Sequence, residues 1–248
     1  MQGLGYSVLG VQSHAKDWFR TPTAPELLGG LRARGFFSRF RKVLLVGASM
    51  GGFAAINYAP MIDGAAVLAL SPQSTMHPRI APFERRFRYS VRRSNWTDRA
   101  YRDAAAAVPQ LRKLTLVYDP LVPEDRAHAL RLAGPNVAMI RTPHCSHEAV
   151  RVIIKSGALA GLLQQLIETD CVSPAFWQTF RNRRRVEKWQ RGLLENALVK
   201  GHPRLALLAA EALLGRPKDR PDADLSFARR TRRRALNDLK KQRENGGR

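Results

Sequence analysis

The stretch "VLLVGASMGGFAAINYAP", residues 43–60, constrains the fold more than any other part of the chain. β-Branched and leucine residues run into Gly-Ala-Ser-Met-Gly-Gly and then into alanine-rich sequence with helical spacing. This pattern reads as strand, sharp turn, helix, with Ser49 at the bend. Gly47, Gly51 and Gly52 leave room around the serine where side chains would clash.

The same alternation extends along the chain. "YSVLGVQS" (6–13) predicts a first strand, and Thr23 with Pro25 and Glu26 predicts the start of a helix whose buried stripe is Leu27, Leu28 and Leu31. Residues 42–49 predict a second strand, 50–60 its helix and 64–74 a third strand. A fourth strand is expected over 111–120, a helix over 124–133, a fifth strand with its terminal loop over 136–147, and a closing helix or helix pair over 148–167. Several of these strands are apolar on both faces, so the expected fold class is α/β, a mostly parallel sheet with helices on both sides. Residues 77–108 break the alternation with proline, arginine and aromatics and read as an inserted loop or cap.

Residues 1–170 are thus expected to form the α/β domain. Residues 171–217 read as a helical appendage whose two antiparallel helices turn near Gly201, His202 and Pro203, and 218–248 read as a basic helical or disordered tail. The hairpin resembles a tetratricopeptide unit, with Trp189, Ala209, Ala212 and Pro217 at suggestive positions. One such unit cannot bury both of its faces, so it is expected to pack on the main domain or on a protein partner.

Charge is concentrated at the same end. The formal net charge is +22, and residues 181–248 hold 20 Lys/Arg against 8 Asp/Glu. That segment attracts phosphates, nucleic acid, anionic surfaces or acidic protein surfaces without selecting among them. The arginines of 79–93, interleaved with Phe83, Phe87 and Tyr89, read as a solvated cap, with a single-stranded nucleic-acid surface as the alternative, although no nucleic-acid-binding motif accompanies them. With 44% hydrophobic residues the chain can bury a core, and its two cysteines, Cys145 and Cys171, imply no disulfide framework. No run approaches the length of a membrane span and the N-terminus lacks a signal-peptide pattern, so the expected compartment is the cytoplasm.

The chemistry-bearing residues fall at expected strand ends, where ligands bind in an open parallel sheet. Ser49 follows the second strand, "YDPLVPED" (118–125) the fourth, and "TPHCSHEAV" (142–150) the fifth. On these residues the chain resembles the α/β-hydrolase superfamily over about residues 6–170, with the Gly-x-Ser-x-Gly-Gly elbow and the Asp-x-x-Val-Pro turn carrying the resemblance. It implies Ser49 as nucleophile, an acid, and His147 as base, in that chain order. Asp119, directly at the strand end, is the expected acid; Asp125, at a helix start, competes with it and reads as a cap. His147 immediately precedes a helix, whereas His144 reads as a loop residue, and Cys145 as a packing residue.

The Met50 N–H is the expected oxyanion donor. Ser13, His14, Trp18, Ser71 and Gln73 are expected around the substrate, and neither a cofactor nor a metal ion is expected. The implied reaction is hydrolysis or transfer of an ester, thioester or amide acyl group; the alternative is an inactive relative serving as a protein-interaction or polysaccharide-assembly module. Family members place several strands before the elbow and take a second oxyanion donor from an early loop. Here one expected strand precedes it, which reads either as a core whose true start lies upstream of Met1 or as a minimal sheet.

Overall fold

The computed structural model describes residues 5–215 and 224–246. Four strands, β1 (Leu44–Ala48), β2 (Ala66–Leu70), β3 (Lys113–Tyr118) and β4 (Val137–Arg141), form a parallel sheet in the order in which they occur in the chain. β2 and β3 are central, with Val67, Leu68, Ala69, Leu70, Leu114, Leu116 and Val117 buried, which is why β2 reads as a continuous apolar run and β3 as one interrupted only by the buried Thr115 after Lys113. Helices α1 (Thr23–Ala33) and α2 (Met50–Tyr58) flank β1 in sequence. α3 (Arg88–Arg92) lies in the β2–β3 connection, α4 (Pro123–Arg131) joins β3 to β4, and α5 (Ala149–Lys155), α6 (Leu159–Thr169) and α7 (Pro174–Phe180) follow β4.

The strand expected over 6–13 does not form. Its apolar residues have the right alternation, but Val8 and Leu9 are 63% and 54% exposed, and the sheet ends at β1, where Val46 is 47% exposed. Residues 5–9 and 11 line one side of an open cavity of about 640 Å³, and Phe36, Phe37, Phe40, Leu45 and Val46 line it too. A strand exists only through its ladder, and here the cavity takes the place of the ladder.

The β2–β3 connection folds back as part of the core. Trp96 is buried against Trp18 and Phe53, with ring centroids 6.1 and 5.7 Å away. Arg131 of α4 forms an ion pair with Asp103 at 2.7 Å. The expected insert is therefore anchored at both an aromatic cluster and α4.

The chain divides into two compact units between Arg181 and Asn182. In the second, α8 (Glu187–Val199), α9 (Pro203–Leu214) and α10 (Ser226–Gly246) pack around Leu194, Ala210, Phe227 and Ala228. Of the two states expected of the basic tail, helical or disordered, residues 226–246 are helix. Phe227, Ala228, Thr231 and Ala235 give α10 a buried stripe, while Arg229, Arg230, Arg232, Arg233 and Arg234 are exposed; the density of arginines masks that period in the sequence. Pro217 and the start of the tail lie outside the described residues. Among the described residues no single helix is long and apolar enough to cross a membrane.

Candidate active site

The elbow is built from backbone geometry. Ser49 has φ +52° and ψ −117°, a strained conformation for a residue with a side chain, costing on the order of 1–3 kcal/mol. Two hydrogen bonds hold it: the Ser49 N–H donates to the Leu70 carbonyl at 2.8 Å, and the Phe53 N–H donates to the Ser49 carbonyl at 3.0 Å. A Cβ on Gly47 would lie 2.1 Å from the Gly51 carbonyl oxygen, and one on Gly52 would lie 2.9 Å from the Pro72 Cβ. Those two glycines are sterically required; a Cβ at Gly51 would meet open space. Met50 is the first residue of α2, so its N–H has no acceptor within the helix and lies beside Ser49 at the positive end of the helix dipole.

Ser49 Oγ is 2.9 Å from His147 Nε2. The ring at the serine is thus that of His147; His144 sits three residues earlier in the loop, with φ +68°. The carboxylate on the far side of the ring is not that of Asp119. His147 Nδ1 lies 2.9 Å from Asp125 Oδ1 and 3.0 Å from Oδ2, and the Asp125 side chain is 1% exposed. A carboxylate only accepts, so Nδ1 carries the proton and Nε2 presents its lone pair to the Ser49 hydroxyl.

Asp119 departs from its expected place because both of its oxygens are occupied by backbone. Oδ1 accepts from the Leu121 N–H at 2.9 Å and Oδ2 from the Ser146 N–H at 2.7 Å. It ties the end of β3 to the loop that carries His147. Asp125, read from sequence as a cap, is the third residue of α4; the cap position is Val122, which makes no side-chain capping bond. Pro123 was the available signal, since a proline favours the first helical position and so places Asp125 inside the first turn.

A third group touches the serine. Gln73, fully buried after β2, donates from Nε2 to Ser49 Oγ at 2.9 Å, and its Oε1 accepts from Trp18 Nε1 at 3.1 Å. The indole can only donate, which fixes which end of the amide faces the serine. Trp18 and Phe19 both have φ +54°, held by the Phe19 N–H on Asp17 Oδ1 at 3.0 Å and by the Tyr58 hydroxyl, which donates to the Phe19 carbonyl at 2.6 Å. Of the other expected substrate contacts, Ser13 donates to Asp17 Oδ1 at 2.8 Å and so braces this turn, and His14 is exposed on it. Ser71 is buried, its Oγ without a partner among the described residues and its N–H donating to the Val117 carbonyl at 2.7 Å.

Behind Asp125 lies a buried ionic network that the sequence reading missed. Arg86 donates from Nη1 to Asp125 Oδ1 at 2.8 Å and from Nε to Glu84 Oε1 at 3.0 Å. Glu84 Oε2 lies 3.2 Å from His128 Nε2, and His128 Nδ1 accepts from the Ser74 N–H at 3.1 Å. Burial raises the Glu84 carboxyl, but the hydrogen bonds from His128 and Arg86 outweigh it and hold the group down to about 2. Burial holds the His128 imidazole below its ordinary value, the pull of Glu84 notwithstanding.

Both groups bind protons more readily when unfolded, so each adds stability above its unfolded value that is lost on acidification. The loss for His128 begins below about pH 6.5, and for Glu84 it runs from about pH 4.5 toward 2. The Tm is expected to fall steadily as pH drops from 6.5 to 3, with a shallower slope below 4.5 in Glu84→Gln; a flat Tm across that range would contradict this electrostatic picture.

Among the described residues no group of three or more His, Cys, Asp or Glu side chains could hold a metal ion. No curated protein and no solved structure matches the chain significantly. A family model described as the alpha/beta hydrolase family matches residues 9–216. With that match over well over half its length, and with a strand–serine–helix elbow at the C-terminal edge of a parallel sheet, the chain belongs to the alpha/beta hydrolase family.

Proposed function

We propose that the protein is a serine hydrolase acting on an ester, thioester or related acyl substrate, with Ser49 as nucleophile, His147 as base and Asp125 as the acid that orients it. The observation that carries this reading is the unbroken line from Ser49 Oγ through His147 to Asp125, every link at 2.9–3.0 Å. Asp125 here replaces Asp119, whose oxygens are spent on backbone.

The chemistry follows from the tautomer. As Ser49 Oγ bonds to the acyl carbon, its proton passes to His147 Nε2 and the carbonyl electron pair moves onto oxygen, beside the Met50 N–H. Asp125 stabilises the imidazolium through Nδ1–H without taking the proton. Collapse expels the alkoxide or thiolate, which takes the proton from Nε2. Water then attacks the acyl-enzyme with His147 again as base, releasing the acid and restoring Ser49.

Gln73 supports the first step: by donating to Ser49 Oγ it occupies a lone pair and turns the hydroxyl hydrogen toward His147. Trp18, which the residue-level reading expected against substrate, acts through Gln73.

The test is direct. After brief mixing with p-nitrophenyl acetate and acid quenching, mass spectrometry is expected to find one acetyl group on the peptide containing Ser49. A p-nitrophenolate burst with no adduct on that peptide, or an adduct elsewhere, would overturn the assignment.

A further inference from the structure

His147 is faced from several elements. Asp125 and His128 come from α4, Arg86 and Glu84 from the β2–β3 connection, and the Phe87 ring from the same connection lies 5.8 Å from the imidazole. Asp119 holds the neighbouring Ser146 N–H, and Glu148, next in sequence, is paired with Arg151 of α5 at 3.0 Å. Of these charges only Arg86 touches the carboxylate that touches His147.

The contact is specific. Arg86 Nη1 and His147 Nδ1 meet the same oxygen, Asp125 Oδ1, at 2.8 and 2.9 Å. The opposite side of the guanidinium is gripped by Glu84, whose side chain is 1% exposed. A cation on that oxygen competes with the imidazolium for Asp125; an anion behind the cation restores Asp125 to His147. With both histidines neutral, Asp125, Arg86 and Glu84 carry a net charge of one negative unit, which an imidazolium at His147 cancels.

Resting on the Ser49–His147–Asp125 reading above, we propose that Arg86 and Glu84 are a paired positioning and tuning element for that reaction. Arg86 fixes the Asp125 carboxylate in the plane His147 needs, and Glu84 offsets the Arg86 charge so that Asp125 remains available to an imidazolium at His147. The β2–β3 connection therefore does more than wall the site: it sets the pH at which the base works.

Opposite charge changes at adjacent positions should shift His147 in opposite directions, which a purely structural role would not do. The primary readout is the NMR titration of the His147 ring, assigned by its loss in His147→Ala, because it requires no turnover. Arg86→Gln removes a cation and is expected to raise the His147 titration by about one unit, whereas Glu84→Gln removes an anion and is expected to lower it by about half a unit. The double substitution is expected to fall between the two, about half a unit above wild type, and Arg86→Lys to stay near the wild-type value. The pH profile of acyl-ester kcat/KM should move with the titration in each variant.

Shifts of the same sign, or none, in folded Arg86→Gln and Glu84→Gln would overturn the proposal. If a single variant fails to fold, the charge-balanced double variant and Arg86→Lys decide the matter by the same titration. Opposite shifts without any acyl-ester turnover in the wild type would leave the tuning intact and sink the hydrolase reading instead.

Discussion

Replacing Ser49 by alanine is expected to lower kcat for acyl-ester hydrolysis by about six orders of magnitude while leaving the Tm within a few degrees of wild type. The first half follows from the proposed mechanism: with Oγ gone, that mechanism leaves His147 no proton to take and forms no covalent intermediate. The second half follows from where Ser49 holds the fold. Its structural bonds are made by backbone, the N–H to Leu70 and the carbonyl from Phe53, and alanine keeps both. Alanine bears the same left-handed strain, so the elbow's geometry is unchanged. Turnover in Ser49→Ala within a hundredfold of wild type would mean that the nucleophile lies elsewhere.

Asp125→Asn is expected to cost about four orders of magnitude in kcat, and Asp119→Asn about one. Asparagine at 125 presents an amide that can donate toward Nδ1, so it favours the wrong tautomer and also removes the anion that stabilises the imidazolium. Asparagine at 119 disturbs a different set of bonds. One of the two backbone donors, Leu121 N–H or Ser146 N–H, then faces an amide NH2 instead of an oxygen. Losing one such charge-assisted bond costs about 1.5–3 kcal/mol, felt as lower stability and a looser His147 loop. Asp125→Asn also weakens the bond from Arg86 Nη1, so both variants lose some Tm and they separate by activity: about a ten-thousandth remains in Asp125→Asn and about a tenth in Asp119→Asn.

The difference between those aspartates shows what the sequence can carry. The elbow is legible because its constraints are local: Gly47 and Gly52 crowd the backbone within six residues of chain, and the strand and helix on either side have opposite periods. His147 is legible because a helix follows it at once. Which carboxylate reaches it is not local. Asp119 and Asp125 are six residues apart, and the choice depends on a loop in which His144 and Ser146 take left-handed conformations, φ +68° and +58°. Neither a glycine nor a turn dipeptide announces that bend.

Arg86 and Glu84 were hidden for a similar reason, since an arginine-rich segment offers many candidates and only packing selects one. Gln73 and Trp18 were found as neighbours of the site, but their bond to each other, across 55 positions, belongs to tertiary structure. Residues 6–13 failed in the opposite way: local alternation shows that a segment is able to be a strand, and only a partner makes it one.

The most direct measurement is the rate of fluorophosphonate labelling in wild type, Asp125→Asn and Asp119→Asn, with the modified residue mapped by peptide mass spectrometry. Labelling confined to Ser49, nearly lost in Asp125→Asn and slowed only about tenfold in Asp119→Asn, is the expected result. Labelling that survives in Asp125→Asn and disappears in folded Asp119→Asn would contradict the assignment of Asp125, and no labelling of Ser49 in the wild type would contradict the activated serine itself.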